Sequence, residues 1–150
     1  MKNFKKILPF IVITVVIVFG VWLFSYMNIS GKRLDNIELL GEVPLRVDIL
    51  DFYPNDPANI PVFTLTAEQG KQLQELLSET TFKRRFTSLR PTDGRTADYW
   101  ISADWDNDGF YDDFVRIADN GYMAIGKSTI YHQAKDSDFA AKFKAIIENN

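Results

Sequence analysis

The pattern of hydrophobic and polar residues changes along the chain from an unbroken apolar run to alternation and then to helical spacing. The apolar run extends from Ile7 to Met27 and contains no charged residue. From Leu45 to Phe52 apolar and polar residues alternate, which is the period of a half-buried strand. After Thr66 the apolar residues follow helical spacing, at Leu73, Leu76 and Leu77. The pattern predicts a membrane span followed by a domain of strands and helices.

Two amphipathic helices are predicted in that domain. The first begins at Thr66, and Gln69 lies three residues later, which is the spacing of a capping box. Gly70 weakens the helix, so we expect it to make close backbone contact with another segment. The second helix is predicted to begin after a cap at Asp136 or Ser137. Its apolar side contains Phe139, Phe143, Ile146 and Ile147.

The segment 98–125, between the two helices, predicts two consecutive β-hairpins. The register that collects the apolar side chains on one face requires three-residue loops at 107–109 and 119–121. This register predicts the pairs Tyr99–Ile117, Ile101–Val115, Ala103–Asp113, Ile117–Met123 and Val115–Ile125, with Asp113 opposite Lys127. A last strand is predicted at 129–131. The fold class is therefore α+β, an antiparallel β-meander of four to five strands packed by two amphipathic helices.

The apolar run has the length of a membrane anchor. A helix over 7–27 would be about 31 Å long, close to the ~30 Å hydrocarbon core. A cleaved signal peptide is the alternative, but its apolar core is shorter and no cleavage pattern lies near Tyr26. We therefore expect a cytoplasmic segment (1–6), a transmembrane anchor (7–27), a juxtamembrane connector (28–43) and an extracytoplasmic domain (44–150).

The distribution of charge supports the orientation and limits the partners. Lys2, Lys5 and Lys6 precede the run and two basic residues follow it closely, so the positive-inside rule favours a cytoplasmic N-terminus by a small margin. All 20 acidic residues and all but three of the 17 basic residues follow the run, which leaves that part with a net charge of −6. This charge argues against nucleic acid as a partner and against adhesion of the domain to an anionic bilayer, since both need a basic face. With no cysteine, the chain forms no disulfide.

The segment 104–112 carries aspartates at alternate positions followed by a glycine. Calcium prefers several hard oxygen ligands, and this spacing wraps a backbone around one ion. The predicted ligands are Asp104, Asp106, Asp108, the carbonyl of Phe110, and Asp112. The predicted register also places Asp104 opposite Asp112, a like-charge pair that a cation would relieve. The alternative remains that Asp, Asn and Gly are ordinary hairpin-turn residues with hydrated carboxylates.

This segment resembles the Asp-x-Asp-x-Asp-Gly-x-x-Asp calcium loops of integrin-type repeats. The resemblance covers about nine residues and implies a bound Ca²⁺. The segment differs from an EF-hand at the twelfth position, where Val115 replaces the bidentate glutamate.

The remaining motifs do not predict a nucleotide-binding site or a complete catalytic site. Residues 121–128 match the pattern G-x-x-x-x-G-K-S, but they are predicted to form a strand without a following helix, so we do not expect a nucleotide site. His132 is the only histidine, which excludes a catalytic site built on two. Paired carboxylates such as Asp104 and Asp112 suit hydrolysis of cell-wall glycans, which is the alternative function. No catalytic constellation is otherwise identified.

Two further surface features stand out. The cluster Phe82-Lys83-Arg84-Arg85-Phe86 is basic, and Arg90 and Arg95 follow it. It predicts either a solvated strand with inward phenylalanines or a patch for an acidic partner, such as lipid headgroups or an anionic cell-wall polymer. Trp100, Phe110 and Phe114 predict either a sugar- or partner-binding surface or a second core layer.

As a whole, the chain resembles the small membrane-anchored or lipoprotein-type extracytoplasmic domains of unknown function found in Gram-positive bacteria. The resemblance rests on the order of the elements: anchor, strand, the helix of FTLTAEQGKQLQELL, a β-meander and a C-terminal helix. It implies no activity. The expected function is that of a single-pass, cell-membrane-anchored module that binds a protein or cell-wall ligand outside the cytoplasm.

Overall fold

The computed structural model describes residues 4–51, 61–85 and 97–148. Part of the predicted basic cluster (Phe86, Arg90 and Arg95) and the end of the predicted strand at Phe52 lie outside the described residues. The helices are α1 (Phe4–Met27), α2 (Ala67–Glu79) and α3 (Phe139–Glu148). The strands are β1 (Asn28–Ser30), β2 (Leu45–Asp51), β3 (Val62–Leu65), β4 (Thr81–Arg84), β5 (Ala97–Ala103), β6 (Asp112–Ala118), β7 (Tyr122–Ile125) and β8 (His132–Ala134).

Helix α1 contains the predicted membrane span. Its segment Pro9–Met27 has a mean hydropathy of 2.5, and none of its residues is buried in the rest of the chain. By its length and composition this segment can cross a membrane. A signal sequence near the N-terminus can meet the same criteria of length and composition. The chain is thus α+β with an N-terminal apolar helix.

All eight described strands form one antiparallel sheet in the order β1-β4-β8-β7-β6-β5-β2-β3. The prediction of four to five strands was wrong. The additional strands are short, such as β1 with three residues and β3 with four, and they contain too few residues to show alternation. The last strand was predicted at 129–131, whereas β8 begins at His132. Residues 28–43 contain β1 and two 3₁₀ turns, Gly31–Arg33 and Ile37–Leu39.

Helices α2 and α3 cover one face of the sheet and enclose the core. Phe139 packs edge-on against Phe82 of β4 with ring centroids 5.3 Å apart, and Phe143 packs against Tyr99 of β5 at 5.1 Å. Both phenylalanines of α3 are fully buried. The predicted apolar side of the second helix is confirmed.

The predicted start of α2 is also confirmed. The Thr66 hydroxyl accepts a hydrogen bond from the Gln69 amide at 3.2 Å, and the Gln69 side chain accepts one from the Thr66 amide at 2.9 Å. A Cβ atom at Gly70 would lie 2.3 Å from the Leu40 carbonyl oxygen, so the expected close backbone contact exists. The segment after β1 therefore packs directly against α2.

The predicted hairpin register is confirmed away from the loop and wrong next to it. Ile101 pairs with Val115, and Tyr99 pairs with Ile117. Beyond Ile101 the register shifts, so that Ala103 faces Asp112 and not Asp113. The shift leaves Phe114 as an extra residue on β6, which is the definition of a β-bulge. In the second hairpin, Val115–Ile125 and Ile117–Met123 pair as predicted.

The three aromatic residues Trp100, Phe110 and Phe114 lie in different surroundings. Phe114 is buried and packs edge-on against Trp105 at 5.6 Å, as expected for a second core layer. Trp100 is half-buried. The side chain of Phe110 is 79% exposed. These three aromatic residues therefore do not form one exposed surface.

Candidate functional site

The predicted calcium-binding segment forms a longer loop than the sequence indicates. Strand β5 ends at Ala103 and β6 begins at Asp112, so eight residues connect them, instead of the predicted three. Asp104 is consequently not the cross-strand partner of Asp112, whose partner is Ala103. The predicted repulsion between directly opposed carboxylates is therefore absent at this pair.

Asp104 closes this loop from the inside. Its side chain is buried, with 3% exposure. One carboxylate oxygen accepts a hydrogen bond from the Asp108 amide at 3.0 Å, and the other accepts one from the Gly109 amide at 2.9 Å. The Asp104 amide donates to the Pro44 carbonyl at 3.1 Å, which connects the loop to the residue before β2. The carboxylate thus holds the turn and satisfies two backbone donors.

The turn requires two left-handed residues. Asn107 has φ = 55° and Gly109 has φ = 87°. Glycine adopts this conformation freely, and asparagine adopts it more readily than most other residues. Asp108 also accepts a hydrogen bond from the Phe110 amide at 3.0 Å, which is a local turn interaction. The residues that suggested calcium therefore also determine the loop conformation.

The predicted ligands differ in their exposure. Asp106, Asp108 and Asp112 are exposed, whereas Asp104 points into the loop. Among residues 4–51, 61–85 and 97–148, no three acidic, histidine or cysteine side chains lie close enough to hold a metal ion. Calcium binding by this loop remains a prediction.

A groove lies next to the loop, and its lining bears on the alternative glycan hydrolase. Asn107 forms one wall of the groove, and Glu42 is the only carboxylate in its lining within the described part of the chain. Glycoside hydrolysis needs two carboxylates on either side of the scissile bond. This groove therefore lacks the pair that the alternative function requires.

A second feature lies where α1 meets the sheet. Strand β1 follows α1 without a linker and pairs with β4, so that Asn28 lies opposite Lys83. The Asn28 amide group donates to the Phe24 carbonyl at 2.9 Å and thereby extends the helix end. The guanidinium carbon of Arg84 lies 4.1 Å from the centre of the Tyr26 ring, a cation–π contact.

We call Lys83, Arg84 and Arg85 the basic edge. Lys83 and Arg85 are exposed and Arg84 is half-buried. Arg85 donates hydrogen bonds to the Tyr122 hydroxyl at 3.2 Å and to the Gln133 side-chain oxygen. In the described part of the chain, none of the three forms an ion pair with a carboxylate. The Phe82–Phe86 cluster signalled this patch in the sequence, but the contact with α1 could not be read from it.

His132 and Arg116 are buried polar residues away from the loop. Burial and the nearby Arg84 guanidinium lower the pKa of His132 below its usual value. The guanidinium carbon of Arg116 lies 5.0 Å from the centre of the Trp100 ring and 5.9 Å from that of Tyr131, and the guanidinium donates a hydrogen bond to the Ser128 carbonyl. The surroundings of both residues are those of side chains packed inside the fold.

The P-loop-like segment 121–128 does not have the structure of a phosphate-binding loop. Residues Tyr122–Ile125 form β7, as predicted, and the chain then turns at Gly126, which has φ = 50°. The next described element is a strand and not a helix. The segment thus lacks the helix N-terminus that such a loop uses to hold phosphate.

Comparisons of the chain with models of protein families, with curated proteins and with solved structures found no match.

Proposed function

We propose that this protein is a single-pass membrane protein whose folded domain acts as a binding module at the outer surface of the cell membrane. The observation that carries the proposal is the direct passage from the apolar helix into the sheet. Helix α1 ends at Met27, and the next residue, Asn28, is the first residue of β1, which pairs with β4. A domain attached without a linker stays within a few ångströms of the bilayer. Its ligand is then a protein or a polymer at that surface.

The orientation is tested by cysteine labelling on intact cells. Because the chain has no cysteine, Lys135→Cys and Lys2→Cys each provide a single labelling site. We expect a membrane-impermeant maleimide to label position 135 in intact cells, and position 2 only after lysis. The reverse pattern would contradict the topology. Recovery of a shortened chain in the medium would show that the apolar segment is a cleaved signal.

We further propose that calcium orders the 104–112 loop. The spacing of the aspartates supports this proposal, together with a turn that already has left-handed residues at Asn107 and Gly109. In this proposal Asp106, Asp108 and Asp112 move towards the ion with the Phe110 carbonyl, while Asp104 keeps the turn closed. The affinity expected of an extracellular loop is a dissociation constant of ~10⁻⁴–10⁻³ M.

Calcium titration of the full-length protein in micelles tests this proposal. A ligand with a dissociation constant of ~1 mM should stabilise the fold by about 1 kcal/mol at about 5 mM, which is a rise of a few degrees in Tm. Asp106→Ala and Asp108→Ala should abolish the rise, whereas Asp138→Ala, an exposed aspartate on the approach to α3, should retain it. An unchanged Tm in the unsubstituted protein would refute calcium binding.

A further inference from the structure

The charges of the domain are unevenly distributed. The chain after Met27 carries a net charge of −6, yet three consecutive basic residues, Lys83, Arg84 and Arg85, lie at the end of β4 and directly after it. Among the described residues no carboxylate pairs with them. An unneutralised basic edge on an acidic domain is a place where an anionic partner binds.

The basic edge is attached to the end of the apolar helix at two points. Lys83 lies opposite Asn28, the residue that follows α1, and the guanidinium of Arg84 lies on the ring of Tyr26 in the last turn of α1. Tyr26 also stacks on Trp22 at 5.5 Å. Tyrosine and tryptophan at the end of a membrane span lie at the level of the lipid headgroups.

This attachment sets the depth of the basic edge. The headgroup region extends about 5–8 Å beyond the hydrocarbon core on each side. A guanidinium 4.1 Å from the Tyr26 ring lies within that region if α1 spans the membrane. Lys83 and Arg85 are its chain neighbours, and consecutive strand residues are only about 3.3 Å apart. The Arg84 guanidinium is therefore at the level of the lipid phosphates, and Lys83 and Arg85, one residue away along the chain, can reach the same region with their long side chains.

We propose that Lys83, Arg84 and Arg85 bind the phosphates of anionic phospholipids in the leaflet next to the domain. Guanidinium groups match phosphate geometry through paired hydrogen bonds, and ammonium groups attract it as point charges. The bilayer is the anionic partner because α1 holds it beside this edge at a high effective concentration. The inference rests on the proposed membrane anchor, but it holds for either leaflet.

The binding would also orient the domain. The basic edge is attracted to an anionic surface, while the remaining acidic surface is repelled from it. Each basic residue near such a surface strengthens binding roughly fivefold. The sheet would therefore stand on its β1–β4 edge, with β2 and β3 at the opposite side of the sheet.

The experiment uses full-length protein in nanodiscs of phosphatidylcholine, with and without phosphatidylglycerol. Native mass spectrometry counts the phosphatidylglycerol molecules that stay bound after release from the disc. Lys83→Gln combined with Arg85→Gln should reduce retained phosphatidylglycerol relative to phosphatidylcholine by roughly 25-fold. The matched control, Lys127→Gln combined with Lys135→Gln, removes the same charge from exposed positions outside α1, β1 and β4.

The outcomes separate the two proposals. Failure to enter neutral nanodiscs would refute the membrane anchor. Entry without preference for phosphatidylglycerol, or equal loss in both double variants, would refute the headgroup site while leaving the anchor intact. A third arm adds soluble polyphosphate at the same phosphate concentration. If polyphosphate displaces the bound phosphatidylglycerol, the edge is a site for free anionic polymers and the lipid proposal is overturned.

Discussion

Different forces hold the core under α3 and the loop at 104–111. In the core, Phe143 packs on Tyr99 and Phe139 packs on Phe82, and all four side chains are buried. In the loop, the side chain of Asp104 accepts two backbone hydrogen bonds, while Phe110 at the tip is 79% exposed. Burial of apolar area stabilises the first region, whereas backbone hydrogen bonds to the Asp104 carboxylate contribute most visibly to holding the second.

This difference separates stability from local conformation. Burying a phenylalanine contributes about 2–3 kcal/mol to the fold, whereas a side-chain hydrogen bond contributes about 1 kcal/mol net. Substitutions in the core should therefore change the global stability of the domain. Substitutions in the loop should mainly change the loop, which leaves it free to respond to a ligand.

The largest expected effect is that of Phe143→Ala. The substitution removes a fully buried ring between α3 and β5 and leaves a cavity, which should destabilise the domain by about 3–5 kcal/mol. Urea unfolding of the full-length protein in micelles measures this loss. Phe110→Ala removes the same side chain at the exposed loop tip and should change stability by no more than about 0.5 kcal/mol. Equal losses of unfolding free energy at both positions would show that the core does not stabilise the domain more than the loop does.

The next effect tests how closely the segment after β1 packs on α2. Gly70→Ala should stabilise an isolated helix, but its Cβ would lie 2.3 Å from the Leu40 carbonyl oxygen. We expect a net destabilisation of about 1–3 kcal/mol because backbone must move. Gly20→Ala, also within a helix but with nothing within 4 Å, should leave the unfolding of the domain unchanged. A gain in stability from Gly70→Ala would show that the backbone at Leu40 can move away from α2 at little energetic cost.

Local signals allowed much of the fold to be predicted. The capping box at Thr66 and the helical spacing of Phe139 and Phe143 involve residues within two turns of each other, so the sequence contains the whole interaction. The strand pairing Ile101–Val115 follows from alternation. In contrast, β1 is only three residues long, and its pairing with β4 joins segments about fifty residues apart, so no local pattern reveals it.

The loop could be located from the sequence, but its geometry could not. The aspartates and glycine marked the turn correctly. The bulge at Phe114 depends on burying that ring against Trp105, a contact that alternation does not show. One extra residue changed the partner of Ala103 and gave Asp104 a different role. The basic edge was similarly visible as a charge run, whereas its contact with Tyr26 required the fold.

An intermediate effect is expected for Asp104→Ala in a buffer with a chelator. The substitution leaves the amides of Asp108 and Gly109 without their acceptor and should cost about 1–3 kcal/mol. Faster hydrogen exchange at these two amides, measured by NMR, should accompany the loss. Asp106→Ala is the control because Asp106 is exposed and should change stability by less than about 0.5 kcal/mol. If both variants behave alike, Asp104 does not hold the loop.

The smallest effect concerns His132, which is buried near the Arg84 guanidinium, whereas Asp104 is buried against two backbone amides. Burial and the Arg84 guanidinium lower its pKa, so folding favours the neutral ring. The associated stability is complete above the unfolded pKa of about 6.5 and is lost as the pH falls towards the folded value, with a slope of at most about 1.4 kcal/mol per pH unit.

His132→Gln should remove this dependence between about pH 7 and pH 5. Asp136 provides an internal reference, because the hydrogen bond from Lys142 lowers the pKa of that carboxyl. Its contribution is therefore complete above the usual pKa of an aspartate, about 3.9, and is lost as the pH falls below that value, which is more acidic than the range of His132. Urea midpoints measured across both ranges separate the two groups. An equal free energy of unfolding at pH 7 and pH 5 in the unsubstituted protein would contradict this prediction. His132 would then become protonated in the folded protein without loss of stability, as an exposed side chain does.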